Sequence, residues 1–218
     1  MSGKSKFKAS KEMVAYCWDT LIHHFESKPM YKPSFTNEPF PLFVTWKIDN
    51  KNYDEPILRG CIGTFSEKPL VEGLSKFSLT SALKDHRFSP ITQKELPKLH
   101  CAVSLLLDFE EAKDVWDWEV GTHGIWIEFT NPTTLSTTTG TFLPEVIPEQ
   151  QWSKEEALRA LIKKAGYNGK VDQSFYSSIK LTRYQSTKEE LSYKDYLEFK
   201  KHHHQHHIHQ TQSITTAT

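Results

Sequence analysis

The sequence predicts an α+β fold: a mainly antiparallel sheet flanked by helices, as one domain or as two lobes sharing one chain. Three observations predict it. Some stretches repeat apolar residues with helical period while others alternate with period two. The two kinds are interspersed and joined by short turns, without the regular βαβ alternation of a parallel sheet. At 218 residues, 37% hydrophobic and 12% aromatic, the chain can bury a substantial core.

Taken in order, residues 1–9 read as a flexible arm. From Lys11 onward Met13, Val14, Cys17, Trp18, Leu21, Ile22 and Phe25 form a helical stripe, and Ser10 stands where an N-cap is needed. Prolines in KPMYKPSF make an extended linker. PLFVTWKID alternates as a strand, with Leu42, Val44, Trp46 and Ile48 on one side and Phe43, Thr45 and Lys47 on the other. DNKNYDEP loops back into a second strand, LRGCIGTF. KPLVEGLSKFSLTSALKD reads as a helix with Pro69 in its first turn. HRFSPITQKELPK is a polar loop, and LHCAVSLLLDF is apolar enough to sit centrally in the sheet. A Gly-x-His-Gly turn feeds a strand with Ile125, Ile127 and Phe129 inward; NPTTLSTTTG is a turn and polar edge before GTFLPEV. Ser153 and Glu156 form a capping box ahead of a helix that Gly166 ends. SSIKLTRYQ is a final strand and SYKDYLEFKK a final helix. Residues 201–218 are a low-complexity, disordered His-rich tail, expected to scavenge metal without holding a functional site.

Lys and Arg balance Asp and Glu at 27 each, so no global field recruits nucleic acid or an anionic membrane. The longest apolar run is too short to span a bilayer. Cys17, Cys61 and Cys101 are few, widely spaced and odd in number. They form neither a disulfide framework nor a zinc knuckle, and the start of the chain lacks an apolar leader, so a reducing intracellular setting is expected. No Walker loop, dinucleotide fingerprint, HExxH or GxSxG is present, so the expectation is no metal and no cofactor.

The LRGCIG stretch carries the candidate site. As a strand, period two puts Leu58, Gly60 and Ile62 on one face and Arg59, Cys61 and Gly63 on the other. With Leu58 and Ile62 sunk in the core, the Arg59 guanidinium would favour thiolate at Cys61. Gly60 and Gly63 would admit a ligand, and a Gly63-Thr64 turn would offer N–H groups to an anion. Taken alone, Cys61 reads more readily as a small buried residue than as a reactive one, and the glycines as a bulge or a site of close packing. Asp85, His86 and Arg87 form a carboxylate, imidazole and guanidinium cluster, or a solvated helix end. His86 or His123 would serve as acid/base with a Cys61 nucleophile, and Thr141 and Glu145 would line a pocket. The alternative is a non-catalytic module in which this face docks a protein partner or RNA.

In this order, LRGCIGTF, TSALKDHRFSPITQKELPKL, VSLL, DWEVGTHGIWIEF, TFLPEV and IKLTRYQS strongly resemble the AMMECR domain family, specifically its eukaryotic members. The resemblance covers about residues 10–200. It implies an α+β fold of two lobes, the larger receiving both chain ends, and cytosolic and nuclear members. It also implies that the LRGCIG hexapeptide, Leu58 to Gly63, is the family hallmark. A D-x-RF segment falls on Asp85, Arg87 and Phe88, and a TFLP segment on Thr141 to Pro144. Prokaryotic relatives often follow TFLP with glutamine where this chain has Glu145. Such relatives occur beside, or fused to, a Memo-type protein and a radical SAM enzyme, which implies a modification pathway.

Overall fold

A computed structural model describes residues 7–30 and 32–202. Most of the expected arm and nearly all of the expected tail lie outside the described residues. The elements are α1 (Lys11–Glu26), β1 (Pro39–Ile48), β2 (Ile57–Pro69), α2 (Leu70–Leu83), a 3-10 helix (Gln93–Lys98) and β3 (Leu99–Glu111). They continue with β4 (Gly124–Thr130), β5 (Thr137–Phe142), α3 (Val146–Glu149), α4 (Lys154–Lys164), α5 (Gln173–Ser178), β6 (Lys180–Ser192) and α6 (193–202). The sheet has six strands in the order β2-β1-β3-β6-β4-β5. The pairs β1–β2, β1–β3, β4–β5 and β4–β6 are all antiparallel. Among the described residues no helix is long and apolar enough to cross a membrane.

The chain divides into two compact units. Among the described residues, the larger holds 8–105 and 188–202; the smaller holds Phe7 and Leu106–Thr187. In the larger unit Ser10 caps α1 by accepting from the Met13 N–H. β1 then buries Leu42, Val44 and Trp46, the face expected from its alternation. α2 packs on that face: Trp46 Nε1 donates to the Ser78 carbonyl at 3.0 Å, and Trp18 of α1 meets Trp46 edge-on with ring centroids 4.9 Å apart. Trp18 is fully buried, which stabilises the fold by about 5 kcal/mol of apolar area removed from water. The chain's last portion completes this core. Trp18 Nε1 donates to the Leu191 carbonyl, Tyr196 stacks on the Trp18 ring, and the Tyr196 hydroxyl and Lys200 both reach Asp19.

In the smaller unit Ile125, Ile127 and Phe129 of β4 and Leu181 of β6 are buried with Leu158, Leu161 and Ile162 of α4. The Ser153–Glu156 capping box starts α4, and Gly166 follows its end at φ +93°.

Candidate functional site

Cys61 lies on β2, the strand at one edge of the sheet. An edge strand leaves every second residue with N–H and C=O turned away from its neighbour. At Cys61 both groups are taken up by one short segment. The Cys61 N–H donates to Asp85 Oδ2 at 2.9 Å, and Arg87 Nη2 donates to the Cys61 carbonyl at 3.1 Å. Asp85 and Arg87 are themselves joined by three hydrogen bonds, Nε to Oδ1 at 3.0 Å, Nη2 to Oδ2 at 2.7 Å and the Arg87 N–H to Oδ1 at 3.2 Å. The pair therefore grips the strand edge at one residue, as a partner strand would.

Burial separates the two partners. The Asp85 side chain is 4% exposed, that of Arg87 56%. The hydrogen bond from Arg87 holds the Asp85 carboxyl well below the usual carboxylate range, against the cost of burial and with help from the Cys61 N–H. Arg87 is raised, first by its hydrogen bond to Asp85 and less by negative charge at Asp85 and Cys61. The arrangement fixes a guanidinium at the solvent side of Cys61.

Because the Cys61 backbone groups point outward, its pairing with Thr45 on β1 is of the non-hydrogen-bonded kind, in which facing side chains come closest. The Thr45 hydroxyl donates to Cys61 Sγ at 3.1 Å. Cys61 is half-buried and reduced; Cys17 and Cys101, also thiols, are fully buried. On the same side of the sheet, Phe43 sits opposite Gly63 and meets Phe65 edge-on at 5.3 Å.

Several positions differ from the strand read off the sequence. The β1–β2 register slips between Trp46 and Lys47: Trp46 pairs with Gly60 but Lys47 with Leu58, which leaves Arg59 as an extra residue. This bulge breaks the period-two alternation at Leu58, which is 41% exposed instead of anchored; beyond it the alternation holds, with Gly60 buried and Ile62 half-buried. Gly60 has to be glycine, since an added Cβ would stand 2.1 Å from the Ser81 carbonyl oxygen of α2. The bulged Arg59 turns to the 3-10 helix. Its guanidinium binds Glu95 at 2.9 and 3.3 Å and the carbonyls of Ser89 and Pro90. Burial opposes the Glu95 charge, yet Arg59 and the Thr92 backbone and hydroxyl outweigh it and lower the Glu95 pKa. Arg59 is thus tied to Glu95 and the Ser89–Pro90 carbonyls, and the guanidinium on the Cys61 carbonyl is that of Arg87. Gly63 and Thr64 make no turn; both are in β2, and the Thr64 hydroxyl accepts from the Ser66 N–H.

His86 is exposed between Asp85 and Arg87. The remaining predicted residues belong to the smaller unit. His123 braces its own turn, with Nδ1 accepting from the Glu119 N–H at 3.0 Å. The Thr141 hydroxyl donates to the Ile125 carbonyl and lies 2.8 Å from the Tyr184 hydroxyl. Burial, the largest influence, pushes the Tyr184 phenol well above its ordinary value. Glu145 is half-buried at the start of α3. The sequence reading missed Thr45. Its signal was present in the alternation of PLFVTWKID, but only the strand register assigns its partner. The reading also missed the Thr92–Glu95 capping box, which the T-x-x-E spacing carries.

The molecule is therefore an α+β protein with a clamped cysteine on a sheet edge, a description that comparison with known proteins sharpens. Residues 14–189 match the AMMECR1 family, and the chain belongs to that family. It is 49% identical over 193 residues to the uncharacterized protein At2g38710 of Arabidopsis thaliana, covering 88% of this chain and 90% of that one. It is 41% identical over 180 residues to the uncharacterized protein YOR289W of Saccharomyces cerevisiae, covering 73% and 71% of the two chains. The crystal structure of the uncharacterized protein PH0010 from Pyrococcus horikoshii superposes with a TM-score of 0.68. Its identity is 26%, and the match covers 84% of this chain and 94% of that one.

Proposed function

We propose that the protein binds a small anionic ligand at the Cys61 edge of β2, with the Cys61 thiolate as the group that reacts with it. The observation that carries this reading is the guanidinium of Arg87. The buried Asp85 carboxylate fixes it on the Cys61 carbonyl while half of its own side chain faces solvent. A cation held there lowers the cost of a negative sulfur and attracts an anion to it. Reduced thiols suit a reducing compartment, which supports the cytosol and nucleus as its location.

The test is alkylation of the native protein across pH. Cys17 and Cys101 are 0% exposed, so the reaction reports Cys61 alone. The expected result is a midpoint well below the ordinary thiol value of about 8.5, with iodoacetate favoured over neutral iodoacetamide. Replacing Arg87 by methionine should remove that preference. An ordinary midpoint with no preference for the anionic reagent would overturn the reading. The alternative of a non-catalytic module docking a protein partner is favoured by Leu58, whose exposure beside the motif has an apolar surface to offer. That alternative predicts an accessible thiol of ordinary midpoint.

A further inference from the structure

We infer that Thr45 is a positioning residue for Cys61: its hydroxyl hydrogen-bonds the thiolate, orients the sulfur along the open side of the sheet, and leaves the thiolate ready to attack. The inference rests on the Cys61 reading above and adds a residue to it. It follows from the ladder. Asp85 and Arg87 draw both Cys61 backbone groups outward, which makes Thr45↔Cys61 the close-approach kind of pair. The Oγ1···Sγ distance of 3.1 Å results directly.

A hydroxyl aimed at sulfur stabilises the charged form more than the neutral one, since a thiolate is the stronger acceptor. β-Branching holds Thr45 in few rotamers on a strand, so little freedom is lost in aiming it. Lys47, on the same side of β1, pairs with Glu190 at 3.6 Å; Arg59 pairs with Glu95; Asp85 and Arg87 hold the backbone edge. Thr45 places a neutral donor directly on the sulfur, and Arg87 supplies the field.

The experiment measures the Cys61 midpoint by alkylation rate against pH, and by the ultraviolet absorbance of the thiolate, in three proteins: unaltered, Thr45→Val and Thr45→Ser. Valine keeps the branched shape and suits a strand, so the fold is retained; a matching thermal transition checks this. Thr45→Val is expected to raise the midpoint by about one pH unit, which lowers the thiolate fraction below the midpoint about tenfold, as loss of a hydrogen bond to a charged group implies. Thr45→Ser should restore most of the shift. A low midpoint in the unaltered protein that Thr45→Val leaves in place overturns the role of Thr45 and spares the reactive-cysteine reading. An ordinary midpoint that Thr45→Val raises still further sinks the reactive cysteine and supports the hydrogen bond. An ordinary midpoint unmoved by either variant overturns both.

Discussion

Gly60→Ala tests how tightly α2 is pressed against the motif strand. The new Cβ would lie 2.1 Å from the Ser81 carbonyl oxygen and 3.1 Å from its carbonyl carbon. Both obstacles are backbone, so no side chain can swing aside, and α2 and β2 must part by roughly 1 Å. Overpacking of this kind costs about 1–3 kcal/mol, and the upper end applies where the backbone itself must move. The same displacement stretches the buried bond from Trp46 Nε1 to the Ser78 carbonyl, now 3.0 Å, whose loss costs about 1 kcal/mol more. Urea denaturation should show a loss of about 4 kcal/mol, or a midpoint lower by about 1–2 M at a slope of about 2–3 kcal/mol/M. Asp85 follows directly from the end of α2, so its grip on the Cys61 N–H should loosen and the alkylation midpoint should shift with it. A variant that loses less than about 1 kcal/mol and alkylates normally would refute the packing argument.

Arg59→Met should cost about 2 kcal/mol, because Glu95 and two backbone carbonyls lose a donor whose side chain is only 12% exposed. It should leave the iodoacetate preference of Cys61 in place; loss of that preference would shift the ligand-facing role from Arg87 to Arg59. In acid, Asp85 contributes stability that is present above the ordinary carboxylate pKa of about 3.9. Because its folded-state pKa is depressed, that contribution is lost as pH falls from there toward the folded value. Denaturant midpoints taken from about pH 5 down to about pH 2 should decline less steeply in Asp85→Asn than in the unaltered protein; parallel curves would show that the clamp is not linked to folding.

Much of the fold was legible because local signals agreed with the tertiary outcome. Ser10 caps α1, Ser153 and Glu156 cap α4, and Leu42, Val44 and Trp46 are buried as their alternation requires. Asp85 and Arg87 were legible as a pair by spacing, though not as clasps on a strand edge 24 and 26 residues away. The face assignment in LRGCIG held from Gly60 to Gly63 and failed at Leu58 and Arg59. A bulge shifts the register by one residue, and it is decided by how β1 pairs with β2, which no period within β2 encodes. That slip separates Arg59 from the thiol, and the same pairing brings Thr45 to the sulfur.

The order of synthesis gives the Trp18 packing a cost. α1 leaves the ribosome early, yet the carbonyl that receives its indole and the tyrosine that stacks on it belong to the stretch after Lys188. All of Leu106–Thr187 must be translated in between, a delay on the order of ten seconds. For that interval the nascent amino-terminal segment carries an uncovered aromatic surface, and a message cut short before codon 188 would leave it uncovered for good.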